Sequence, residues 1–138
     1  MNDRTSHGRA WLAKAGSDLA AARLLLEVHG PADIVCFHAQ QAAEKLLKAI
    51  LASSERPIPR THNLEELEAA CREVCSERVN DELSRLGLSE LTPYAVEARY
   101  DLEFWPEEEL ADAAVRTAER LRDIVRSALG ASEDPDPA

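Results

Sequence analysis

Apolar residues recur at steps of three and four through most of this chain, and that period belongs to the α-helix. Leu12, Ala15, Leu19, Ala22 and Leu26 make one stripe, and Cys36, Ala39, Ala43, Leu46 and Ile50 a second. Leu64, Leu67, Cys71 and Val74 make a third, and Val79, Leu83 and Leu86 mark a further stretch interrupted at Gly87. Leu110, Ala114, Thr117, Leu121, Ile124 and Ala128 keep the spacing to the end. Glycine is scarce, β-branched residues are few, and Ala, Leu, Glu and Arg dominate, all of which favours helix. Nothing reads as a strand or a repeat. The predicted fold class is all-α, a four- to five-helix up-and-down bundle.

The breakers set the boundaries. Helix one is expected over about residues 9–28 and is closed by Gly30-Pro31, Gly taking a left-handed C-cap and Pro being unable to continue the helix. Helix two is expected over about 32–53, a length of roughly 30 Å, so the pair forms an antiparallel hairpin. Two prolines in Arg56-Pro57-Ile58-Pro59-Arg60-Thr61-His62 hold that segment extended. Asn63 is the expected N-cap of helix three, with Glu66 as its capping-box partner. Thr92-Pro93 reads as an N-cap and first-turn pair opening a short helix to about Arg99, and a loop over 100–106 leads to the last helix.

With 138 residues, the chain suits one domain, expected over 1–130. The acidic, proline-punctuated 131–138 reads as a disordered tail. No apolar run approaches the roughly 20 residues that span a bilayer, and the first residues lack an apolar signal core. The expected location is therefore cytoplasmic, with no membrane contact. A net charge of −10 argues against DNA and against broad electrostatic binding to any nucleic acid, which relies on basic surface. A local basic pocket could still hold RNA. Cys36, Cys71 and Cys75 read as reduced structural thiols, since no CxxC or His pair completes a zinc set. Neither a metal nor a cofactor is expected: the five glycines are scattered, and no GxSxG or HExxH is present.

Within helix two, His38, Gln41, Lys45 and Lys48 form a polar row opposite the apolar stripe, with Gln40 and Glu44 flanking it. Lys could meet a phosphate and Gln a base edge. The plainer alternative is a solvated or dimer-facing surface, where amides and histidine bond across an interface without burying formal charge. His62 sits just before a helix N-terminus with Arg56 and Arg60 nearby, a favourable place for an anion. The alternative is that His62 only helps cap helix three. Tyr94, Arg99 and Tyr100 place two aromatics and a cation in one segment, suited to stacking and to bidentate phosphate contact. More plainly, Tyr94 packs in the core and Arg99 pairs with Glu103 or Asp101.

The blocks FHAQQAAEKLLKA at 37–49, PRTHNLEEL at 59–67 and LTPYAVEARYD at 91–101 resemble the HEPN family, the higher eukaryote and prokaryote nucleotide-binding domains. With the first and last helices the resemblance covers about 125 residues. It implies an all-α domain, usually dimeric, often encoded beside a minimal nucleotidyltransferase as a toxin–antitoxin pair. Some members are metal-independent ribonucleases carrying an Arg, four to six residues and a His late in the bundle. Arg99 lies in about that region, but no histidine follows it. The spacing does occur at Arg56…His62 and Arg23…His29, both outside the expected late helix.

The favoured reading is a non-catalytic homodimer binding a nucleotide or RNA end, a nucleotidyltransferase partner, or both. The ligand is expected at His38, Gln41, Lys45, Arg60, His62, Tyr94 and Arg99. The alternatives are a ribonuclease toxin using Arg56 and His62, and a structural dimeric adaptor.

Overall fold

The computed structural model describes residues 3–130, so the tail expected at 131–138 lies outside the described residues. Six α-helices follow in order: α1 (Asp3–Glu27), α2 (Ala32–Ser53), α3 (Leu64–Arg72), α4 (Glu77–Ser84), α5 (Tyr94–Tyr100) and α6 (Glu108–Ala128), with a 3₁₀ turn at Leu88–Leu91 before α5. No strand occurs among the described residues. The expected helical bundle is therefore observed, with α1 and α2 as its hairpin.

α2 is the axis. It packs against α1, α3, α5 and α6, and 13 of its 22 residues are buried, far more than one stripe supplies. The alanines at 39, 42, 43 and 49 have no accessible surface, and their small side chains let the neighbouring helices approach closely. The hairpin with α1 uses the expected stripe: Ala15, Leu19 and Ala22 are buried, and Leu12 and Leu26 pack at its edges. α6 instead turns Ala111, Ala114, Val115, Ala118, Leu121 and Val125 inward, and Leu110 is left outside. The face is rotated about one residue from the expected stripe. Several apolar residues on α6 obey three–four spacing in two neighbouring phases, and packing on α2 selects between them. Arg23 ties α1 to α6 by bonding Glu119 at 2.6 and 2.9 Å.

The punctuation differs in detail from expectation. The left-handed residue after α1 is His29 (φ 54°), not Gly30. Gly30 N–H donates to Leu25 O (2.7 Å) and His29 N–H to Leu26 O (3.1 Å), the paired bonds of a Schellman end. Gly30 serves close approach, because a Cβ there would lie 3.0 Å from Leu25 Cδ2. Asn63 does cap α3, accepting from Glu65 and Glu66 N–H. Asn63 N–H in turn donates to Thr61 Oγ1, not to the Glu66 side chain. Thr92 continues the 3₁₀ turn in helical conformation, and its hydroxyl accepts from Leu64 N–H instead of capping α5.

Candidate functional site

A buried carboxylate organises the polar part of α2. Glu44 is 5% exposed, and its Oε1 lies 2.8 Å from His62 Nδ1 while its Oε2 accepts from Lys48 Nζ at 2.9 Å. Gln40, fully buried, donates to Glu44 Oε1 and to His62 O, both at 3.2 Å, and Gln41 donates to Gln40 Oε1 at 2.7 Å. Burial by itself would raise the Glu44 pKa, but the hydrogen bonds from Lys48, His62 and Gln40 outweigh it and hold the carboxyl below its usual range. An ionised carboxylate can only accept, so His62 Nδ1 carries the hydrogen and Nε2 is the nitrogen left for other partners. The His62 side chain is 61% exposed, so it presents Nε2 outward from a buried anchor.

A second carboxylate fixes the rest of the row. Asp18 on α1 meets His38 Nδ1 at 2.9 Å and Lys45 Nζ at 2.5 Å. His38 and Lys45 are therefore half-buried between α1 and α2 and paired. The expected row opposite the apolar stripe exists, but it lies against α1 and the 60–62 loop and is not a freely solvated face.

Aromatic rings paired with cations stand at both ends of this row. Lys48 Nζ lies 5.4 Å from the Trp11 ring centre, and His7 packs against Trp11. Eleven residues earlier on α2, the Arg99 guanidinium lies 5.0 Å from the Phe37 ring and 5.1 Å from the Tyr100 ring. Eleven residues of helix separate the two ends by roughly 16 Å. Between them run Gln41, Glu44 and His62. Arg60 is exposed on the adjoining loop and makes no ion pair among the described residues.

Other expected residues are placed elsewhere. Tyr94 is buried, packs 5.6 Å from Phe104, and lines a cavity of about 170 Å³ with Leu91, Leu110 and Thr117; burial raises its pKa. Arg56 pairs with Glu73 at 3.2 Å, just past the C-terminal end of α3, whereas His62 precedes its N-terminal end. The nine-residue helix between them spans roughly 13 Å. The first N–H groups of α3 are taken by Thr92 Oγ1 and Asn63 Oδ1, so they offer no open anion cradle. Arg99 pairs with neither Glu103 nor Asp101; its Nε donates to Ala95 O at 3.1 Å.

Among the described residues no group of His, Cys, Asp and Glu is arranged to hold a metal ion. Cys36 and Cys71 are buried, and burial pushes the Cys36 thiol up to about 11 and Cys71 higher still, which suits packing and not ligation. No helix among the described residues is long and apolar enough to cross a membrane.

The residues that build the site but were not singled out as ligand-binding are Trp11, Asp18, Phe37, Gln40, Glu44 and Lys48. One signal was available for two of them: Gln40 and Glu44 sit four apart in the middle of an alanine-rich helix. Nothing local pointed to Asp18.

A family profile for the HEPN domain matches residues 9–128. The chain belongs to the HEPN domain family. Two solved structures share its fold. The TT1696 protein from Thermus thermophilus is 24% identical with a TM-score of 0.73, covering 88% of this chain and 98% of its own. ST0689, an archaeal HEPN homologue, is 20% identical with a TM-score of 0.65, covering 94% of this chain and 99% of its own. No curated protein matches the chain.

Proposed function

We propose that this HEPN domain acts by binding, holding a nucleotide or an RNA end along the half-buried row of α2. The observation that carries the reading is the Glu44 network, in which one buried carboxylate orients His62 between two aromatic–cation pairs and holds Lys48, the cation of one of them, against Trp11. Buried charge of this kind costs desolvation energy, and we read its presence here as serving to orient His62 and Lys48. Lys48 and Arg60 offer donors for phosphate, as does His62 Nε2 when the ring is protonated, and Trp11 and Phe37 offer faces for a base. His38, Gln41 and Lys45 form the wall toward α1. HEPN domains often dimerise, and the working unit is read as a homodimer. The resemblance to family members encoded with a nucleotidyltransferase supports such a protein as a partner in a toxin–antitoxin-like pair.

A second reading has one observation in its favour. A histidine oriented by a buried glutamate, with its far nitrogen exposed, is the arrangement of a general base, as a metal-independent ribonuclease needs. Against it, the Arg56–Glu73 pair holds Arg56 at the other end of α3 from His62. One experiment separates the two. The protein is titrated with ATP and with a short single-stranded RNA in the absence of metal, following amide shifts and then the length of the recovered RNA. Shifts at Gln41, Lys48, His62 and Arg99 with intact RNA are expected. Shifts confined to α6 would overturn the site, and cleavage lost in His62→Ala by roughly 10²-fold would establish the ribonuclease instead.

A further inference from the structure

One end of the bundle carries an apolar surface that the fold leaves uncovered. Leu102 is 84% exposed, Trp105 75%, Tyr100 67% and Val96 56%, all within ten residues spanning α5 and the loop to α6. Leu24, on the last turn of α1, and Val28, in the turn just after it, are also exposed. They lie at the same end, because His29 beyond α1 meets Glu108 in the first turn of α6 at 2.8 Å. Scattered exposed apolar residues are ordinary, but large ones gathered in one place mark an interaction surface. Tryptophan and tyrosine are the residue types that anchor interfaces.

The charge around them says what kind of partner fits. Arg99 stacks on the Tyr100 ring at one edge, but from Tyr100 to Asp112 the chain holds Asp101, Glu103, Glu107, Glu108, Glu109 and Asp112 and no basic residue. Arg23 and Arg116 answer Asp112, and His29 answers Glu108. Glu103, Glu107 and Glu109, with Glu27 across the gap on α1, make no ion pair among the described residues. A second copy docked here two-fold would set the same carboxylates against one another, since such an interface uses one patch on both chains. Like charges facing across an interface oppose association, whereas opposite charges guide it.

We propose that the Tyr100–Trp105 end of the bundle docks a different protein through a cationic amphipathic segment, with Leu102 and Trp105 as anchors and the unpaired glutamates as the polar rim. The anchors Leu102 and Trp105 are not part of the α2 row, although Tyr100 borders it through Arg99, and docking here does not require a ligand on that row.

The test uses the full chain and two synthetic peptides: an amphipathic helix with leucines on one face and lysines on the other, and its twin with glutamate in place of lysine. Calorimetry is expected to show binding of the lysine peptide that weakens with salt, and none of the glutamate twin. In a Trp11→Phe background Trp105 becomes the single tryptophan, and its emission should shift to the blue on binding. Leu102→Ser with Trp105→Ala, both at exposed positions, should weaken binding by at least about tenfold without changing helix content. Equal binding of both peptides, binding unchanged by the double variant, or no binding at all would overturn the proposal. Loss of self-association in the double variant would overturn it too, by showing that the face meets a second copy.

Discussion

Replacing Glu44 by Gln tests whether the buried network depends on charge. The wild-type carboxylate accepts from Lys48 and His62 at 2.9 and 2.8 Å and from Gln40 at 3.2 Å. Hydrogen bonds to a charged group contribute about 1.5–3 kcal/mol each, so the two short ones amount to roughly 3–6 kcal/mol. The amide can still accept one bond, worth about 1 kcal/mol, and removing a buried charge returns some 2 kcal/mol of desolvation. Lys48, whose side chain is 14% exposed, can also turn partly toward water. The net loss expected is about 1.5 kcal/mol, or roughly 5 °C in Tm for a domain of this size. Urea unfolding at pH 7 measures it, with an unchanged m-value showing that the fold is kept. The pH dependence sharpens the test. The Glu44 pKa is depressed in the folded state, so its stabilisation is full above the unfolded carboxyl value of about 4.3 and is lost as pH falls through the folded one. The gap between wild type and Glu44→Gln should therefore begin to close below about pH 4.3 and vanish once pH has fallen through the depressed folded value. A loss under about 0.5 kcal/mol at neutral pH, or a gap that stays constant on acidification, would refute a charge-based role.

Gly8→Ala should destabilise the protein despite alanine's better helix propensity. The new Cβ would lie 1.9 Å from Ser53 Oγ and 3.1 Å from Ala49 O, and overpacking of about 1–3 kcal/mol exceeds the roughly 1 kcal/mol gained in propensity. Adding Ser53→Gly should recover part of the loss, and a Gly8→Ala protein as stable as wild type would refute the tight crossing of α1 and α2. Light scattering is expected to give twice the chain mass of 15.2 kDa; a single monomeric mass across micromolar concentrations would count against the homodimer.

Local sequence determined the helices themselves. Three–four spacing, the prolines at 57 and 59, the Asn63 cap and the break at Gly87 act over a few residues, so they were legible without a partner in view. Periodicity also marked the polar row on α2. It could not show how many neighbours α2 has, because a stripe describes one face, and a helix packed on several sides needs small residues where a stripe analysis sees only weak hydrophobicity. The alanines at 39, 42, 43 and 49 fill that role. Only the tertiary structure set Asp18 against His38 and Lys45, and Glu44 against His62, pairs 20, 27 and 18 residues apart. Their meeting depends on the register of the α1–α2 hairpin and on the path of the proline loop back over α2. The same holds for Gly8, an unremarked glycine in the sequence whose missing side chain makes room for Ser53. Charge type can be read from one residue, but whether that charge is buried, and against what, is decided by which helices close over it.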